Sequence, residues 1–92
     1  MTGLDEAHVI VSGRVQGVWF RGYTQRAASA AGVHGWVRNR PDGAVEALVE
    51  GEQSDVDHVE AALRRGPASS RVDEVRVEDA VPAYRATGFS IR

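Results

Sequence analysis

The stretch Val9-Ile10-Val11-Ser12-Gly13-Arg14-Val15-Gln16-Gly17-Val18-Trp19-Phe20-Arg21 decides how the chain is built. Its β-branched run reads as a strand. Gly17 then suits a positive-φ turn, or a backbone that must come close to a ligand. Beyond it, Phe20, Thr24, Ala27, Ala28 and Ala31 recur at helical spacing, a small-residue face for packing on a sheet. Strand, glycine-pinned loop and helix N-terminus together gather backbone N–H groups around one point. Such a terminus carries unpaired donors and a partial positive charge, which favour a bound anion. Arg21 in the first turn opposes that dipole unless an anion lies between them. The stretch therefore reads as an oxyanion site suited to phosphate.

Working outward, the first strand is expected over Ala7 to Val15, and the polar, acidic residues 1–6 are expected to fray. After the helix, Gly32 supplies a stop and Val33 the apolar contact of a Schellman-type end. Val33 to Asn39 reads as a second strand, Arg40-Pro41-Asp42-Gly43 as a turn, and Ala44 to Glu50 as a third strand. The third strand alternates small apolar residues with mostly glutamate, which places Glu46 and Glu50 on a solvent face. Ser54 is expected to cap a second helix, with Asp57 in a capping-box relation. Val56, Val59 and Leu63 form its stripe, and Gly66-Pro67 ends it. A fourth strand is expected within Arg71 to Glu78, interrupted by Pro82, and Phe89-Ser90-Ile91 closes the chain as a short strand. This order predicts an α+β, ferredoxin-like split βαβ fold: β-α-β-β-α-β plus a short terminal strand, an antiparallel sheet with two helices on one face. A single domain over residues 1–92 is expected, since that length supports one core.

Composition narrows the function. A formal charge of −2 offers no bulk attraction to nucleic acid or to an anionic membrane. All 11 basic residues are arginine, which removes Schiff-base and P-loop lysines and leaves a planar fork suited to phosphate. There is no cysteine, which excludes disulfides and thiolate nucleophiles and fits a cytoplasmic protein. No signal sequence opens the chain, and no apolar run approaches the roughly 20 residues of a membrane span. His8, His34 and His58 show no metal-ligand spacing, so no metal site is expected from them. Read alone, the bland alternative to Arg21 as an anion ligand is a surface side chain, which the dipole disfavours; Asn39 reads first as a turn-opening residue, and Trp36 as either a stacking platform or sheet packing.

Gly13-Arg14-Val15-Gln16-Gly17-Val18-Trp19-Phe20-Arg21, followed by Gly35-Trp36-Val37-Arg38-Asn39, resembles the paired signature of the acylphosphatases. The resemblance continues through Pro41-Asp42-Gly43, Val49-Glu50-Gly51 and Gly88-Phe89-Ser90-Ile91-Arg92. It implies a small ferredoxin-like enzyme that hydrolyses the carboxyl–phosphate anhydride of acyl phosphates without metal or cofactor. It further implies that Arg21 binds the phosphoryl group and Asn39 orients the attacking water. The N–H groups of Gln16, Gly17, Val18, Trp19 and Phe20 would then form the phosphate cradle. Trp19 and Arg40 occupy positions that the family leaves variable.

The chemistry agrees with the residues present. The leaving carboxylate belongs to an acid of pKa about 4 and departs without a general acid. What remains is to hold and neutralise a phosphoryl group while water attacks in line. Expected partners are a small acyl phosphate and inorganic phosphate or sulfate as product or inhibitor; a monomer is expected, with no nucleic acid and no membrane. Two rival readings are weighed. A non-catalytic anion-sensing or regulatory domain could keep the same cradle, and by resemblance the domain also opens a large hydrogenase-maturation carbamoyltransferase. The chain's end at Arg92 without a linker favours a free-standing enzyme. An RRM-like RNA-binding module would need aromatics on the first and third strands, and those strands offer none.

Overall fold

Alternation along β1 (Leu4–Arg14) sets the two faces of the sheet in this computed structural model, which describes residues 4–80 and 87–92. Ala7, Val9 and Val11 are buried on one face, while Glu6, His8 and Ile10 alternate with them on the other. The strand starts earlier than its side chains suggest. Leu4, Asp5 and Glu6 pair with Glu52, Gly51 and Glu50, so ladder hydrogen bonds extend it where the side chains carry no strand signal. Residues 1–3, and Pro82 with its expected interruption, lie outside the described residues.

The remaining elements are α1 (Phe20–Ala31), β2 (His34–Asn39), β3 (Val45–Glu52), α2 (Gln53–Arg65), β4 (Arg71–Ala80) and β5 (Phe89–Ile91). Sheet order is β4-β1-β3-β2-β5. Each neighbouring pair among the first four strands is antiparallel, but β5 runs parallel to β2, so the sheet is mixed. Phe20 and Ala28 of α1 join Val56, Val59 and Leu63 of α2 in one buried cluster with Val9, Val11, Val37, Val45 and Val49. Both helices therefore cover the same face of the α+β, ferredoxin-like sheet. The end of α1 follows the expected motif: Gly32 is left-handed, and the Val33 N–H donates to the Ala28 carbonyl at 3.0 Å.

Two expectations need correction. Ser54 is not the cap of α2. Pairing with Leu4 carries β3 on to Glu52, and the chain turns directly into the helix at Gln53. Glu52 occupies the cap position with no side-chain cap bond, and Ser54 sits inside the first turn. Nor is the glutamate face of β3 solvated. Glu46 is 7% exposed and Glu50 only 2%. His8 Nε2 and Arg38 Nε, from the strands on either side, both contact the Glu46 carboxylate and cover it. Glu50 lies in register with Glu6 on one flank and His34 on the other.

Candidate functional site

The loop from β1 to α1 is pinned at both ends by buried apolar side chains, Val15 and Phe20. Between them Gly17 has a φ of +73° and Trp19 a φ of +65°, both left-handed. Glycine holds that conformation at no steric cost, whereas a tryptophan is strained there by roughly 1–2 kcal/mol. Trp19 is the N-cap of α1 and makes no side-chain cap bond, so the helix opens without an internal acceptor for its first N–H groups. No loop or cap hydrogen bond to a described backbone carbonyl uses the N–H of Gln16, Gly17, Val18, Trp19 or Phe20.

A cavity of about 200 Å³ lies against this loop, and Gly17, Trp19, Phe20, Arg21, Asn39 and Ile91 line it. Arg21 follows from the start of α1. Asn39 is the last residue of β2, in register with Val45 on the sheet face that the helices cover, beside Gly35 and Val37. Ile91 arrives from β5, opposite Val37. Arg21 and Asn39 thus share one cavity although they come from different elements. The Arg21 guanidinium pairs with no side-chain carboxylate among the described residues; its Nη1 donates to the main-chain oxygen of Arg92 at 3.4 Å.

Gln16 and Val18 do not line the cavity. The Gln16 side-chain amide donates instead to the carbonyls of Arg40 and Ala44, at 2.7 and 2.9 Å. Those two residues bracket the turn that follows Asn39, and the Arg40 N–H itself bonds the Ala44 carbonyl at 2.8 Å. Gln16 therefore ties the loop to the hairpin that carries Asn39. The Val18 carbonyl accepts from the Ser69 hydroxyl at 3.1 Å, which ties the loop to the segment before β4. Sequence reasoning missed the Gln16 side chain, Ile91 and the main-chain oxygen of Arg92. The Gln16 partners are 24 and 28 residues away and the Arg21–Arg92 pair is separated by 71, so no local spacing announces them.

The other candidates lie elsewhere. His8, Glu46 and Arg38 sit on the opposite sheet face, with His8 also 3.9 Å from Glu78. Burial alone would raise the Glu46 pKa, but hydrogen bonds from His8 and Arg38, with their charges, outweigh it and hold the carboxyl below its ordinary value. Trp36 is on that face too, half-buried, with the Arg92 guanidinium over its ring at 4.9 Å. Among the described residues no group of three or more histidine, aspartate or glutamate side chains is placed to hold a metal ion, and no helix is long and apolar enough to cross a membrane.

Loop N–H groups without a backbone partner among the described residues, one cationic fork and one amide beside one cavity suit a small tetrahedral oxyanion. Comparison with known proteins agrees. A family model described as Acylphosphatase matches residues 7–91. A Rhodospirillum rubrum acylphosphatase is 51% identical over 89% of each chain. One from Rhizorhabdus wittichii is 50% identical over 98% of this chain and 95% of its own length. The crystal structure of a Bacillus subtilis acylphosphatase superposes with a TM-score of 0.92 at 37% identity, covering 98% of this chain and 99% of that one.

Proposed function

The chain belongs to the acylphosphatase family, whose reaction is the hydrolysis of acyl phosphates, and from that premise we propose that Arg21, Asn39 and the loop backbone carry the reaction here. The observation that carries the reading is the meeting of Arg21 and Asn39 in one cavity beside the N–H groups of the loop. Arg21 holds two phosphoryl oxygens with its fork, and the backbone of the loop from Gln16 through Phe20 cradles the group, with Gly17, Trp19 and Phe20 at the cavity wall. Asn39 cannot act as a base, because its amide takes no proton near neutrality, so it orients the water through a hydrogen bond. The water oxygen bonds phosphorus as the bond from phosphorus to the acyl oxygen breaks. The electron pair leaves on the carboxylate, and the water proton passes to a phosphoryl oxygen of the product phosphate. No general acid is needed, since the leaving acid has a pKa of about 4. Each aimed donor removed costs about 10²–10³ in kcat.

The reading takes the protein as a cytoplasmic monomer with inorganic phosphate as product and no nucleic-acid partner. Its sheet supports the last point: on the face away from the helices, β1 and β3 carry Glu6, His8, Ile10, Glu46, Leu48 and Glu50, with the three carboxylates buried and no base-stacking aromatic among them. Hydrolysis of benzoyl phosphate with EDTA present tests the whole. Wild-type protein should turn over, and Arg21→Gln should lose both turnover and phosphate binding. Asn39→Ala should keep phosphate binding while kcat collapses. Near-wild-type turnover by that variant would remove Asn39 from the mechanism, and no turnover by wild type would leave an anion-sensing domain.

A further inference from the structure

Beside the phosphate cavity lies a larger one, about 330 Å³, between α1 and α2, and Trp19 forms a wall of both. From Trp19 one side of α1 runs through Gly22, Tyr23 and Arg26, at steps of three, four and seven residues. At 1.5 Å per residue, Arg26 stands about 10 Å along the axis from Trp19. From the other side α2 contributes His58 and Arg65. Among the described residues no carboxylate lines this groove. Neither Arg26 nor Arg65 forms an ion pair with a described residue, and the Arg26 guanidinium rests over the Trp19 ring at 5.7 Å from its centroid.

The Trp19 ring is 58% exposed and lies back along the helix over Gly22. A Cβ at Gly22 would stand 2.2 Å from the indole nitrogen, so the absence of a side chain there is what lets the ring lie flat between the two cavities. Trp19 is common to both cavities, so the groove is the neighbouring space into which the acyl group of a phosphoryl group held against Phe20 and Arg21 can extend. The indole offers acyl carbons an apolar surface. Past it stand two arginines with no carboxylate of their own.

We propose that this groove is the acyl subsite, and that it selects acyl phosphates whose acyl chain ends in a second anion, carboxylate or phosphate. The proposal rests on the hydrolytic reading of the first cavity. It is tested by kcat/KM of the intact protein for three substrates: acetyl phosphate, neutral at its acyl end; succinyl phosphate, ending in carboxylate; and 3-phosphoglyceroyl phosphate, ending in phosphate. Arg26→Gln with Arg65→Gln should lower the ratio of an anion-ended substrate to acetyl phosphate about tenfold, the scale of two exposed ion pairs acting together. Added salt should shrink the wild-type ratio and leave the double variant's flat. Arg64→Gln, also in the last turn of α2 but outside the groove, should leave the ratio unchanged. A response to only one terminal anion supports the subsite and identifies its ligand. An unchanged ratio in the double variant overturns the proposal, as does an equal fall with Arg64→Gln, which would mean a general field. Wild-type failure on all three substrates, acetyl phosphate included, overturns the hydrolytic reading and the subsite with it.

Discussion

Arg21 sits where a cation is unwelcome, in the first turn of a helix with no acidic residue there to offset it. Its place there does nothing for helix stability and accords with the proposed phosphoryl contact. Inorganic phosphate should raise the thermal midpoint of the wild-type protein by mass action, and Arg21→Gln should abolish that rise without lowering the midpoint measured in its absence. Arg21→Lys should restore little of it, since an ammonium lacks the two-pronged fork. This residue was legible in the sequence because its conflict with the dipole is local. Glu46 was not. Its burial depends on His8 and Arg38 arriving from neighbouring strands, and period-two alternation reports only which face a side chain takes, not what covers it. A carboxyl whose pKa is depressed on folding stabilises the protein above its unfolded value, ordinarily 4.5, and loses that contribution as pH falls through the folded value. Glu46→Gln should accordingly reduce stability at neutral pH and flatten the fall below pH 4.5, as read by urea unfolding across an acid series.

The loop and the hairpin are separate elements, and in the proposed mechanism their spacing sets the distance between a held phosphoryl group and the attacking water. Gln16 fixes that spacing with two side-chain hydrogen bonds. Gln16→Ala should cost about 1–2 kcal/mol of stability, the worth of two such bonds, and should also lower kcat while phosphate still raises the thermal midpoint. A variant damaged only in stability would keep its kcat. At the start of α2 the sequence suggested a serine cap, but the cap position is taken two residues earlier by Glu52. Ser54→Ala should change stability by less than about 0.5 kcal/mol, against the ~1 kcal/mol that loss of a true N-cap costs. Caps are read from short side-chain patterns, and here strand pairing with Leu4 decided the boundary instead. The end of α1 was legible because glycine and the apolar residue after it act within one turn. Within β2, Gly35 is required by close approach: at a φ of +140° an added Cβ would fall 1.8 Å from the Leu48 carbonyl oxygen. Gly35→Ala should destabilise by about 3 kcal/mol or more, visible as a large drop in the urea midpoint with the slope unchanged.

At the scale of the whole molecule, the order of elements followed from hydrophobic period, and with it the ferredoxin-like sheet and the shared helix face. The direction of β5 did not follow. Three residues carry no period long enough to orient a strand, and its parallel pairing depends on the register with Gly35, Trp36 and Val37. That edge strand has a consequence in time. The cavity borrows a wall from Ile91, and Arg21 meets a main-chain oxygen 71 residues further along the chain. Contacts of such separation form late, after the loop entropy between them has been overcome. On refolding from urea, hydrolytic activity should never run ahead of the far-ultraviolet signal and should trail it whenever the β5 edge closes last. A chain still emerging from synthesis would possess its arginine and its asparagine while lacking the pocket around them. Activity in this protein is thus a clock that starts only when the final strand has docked.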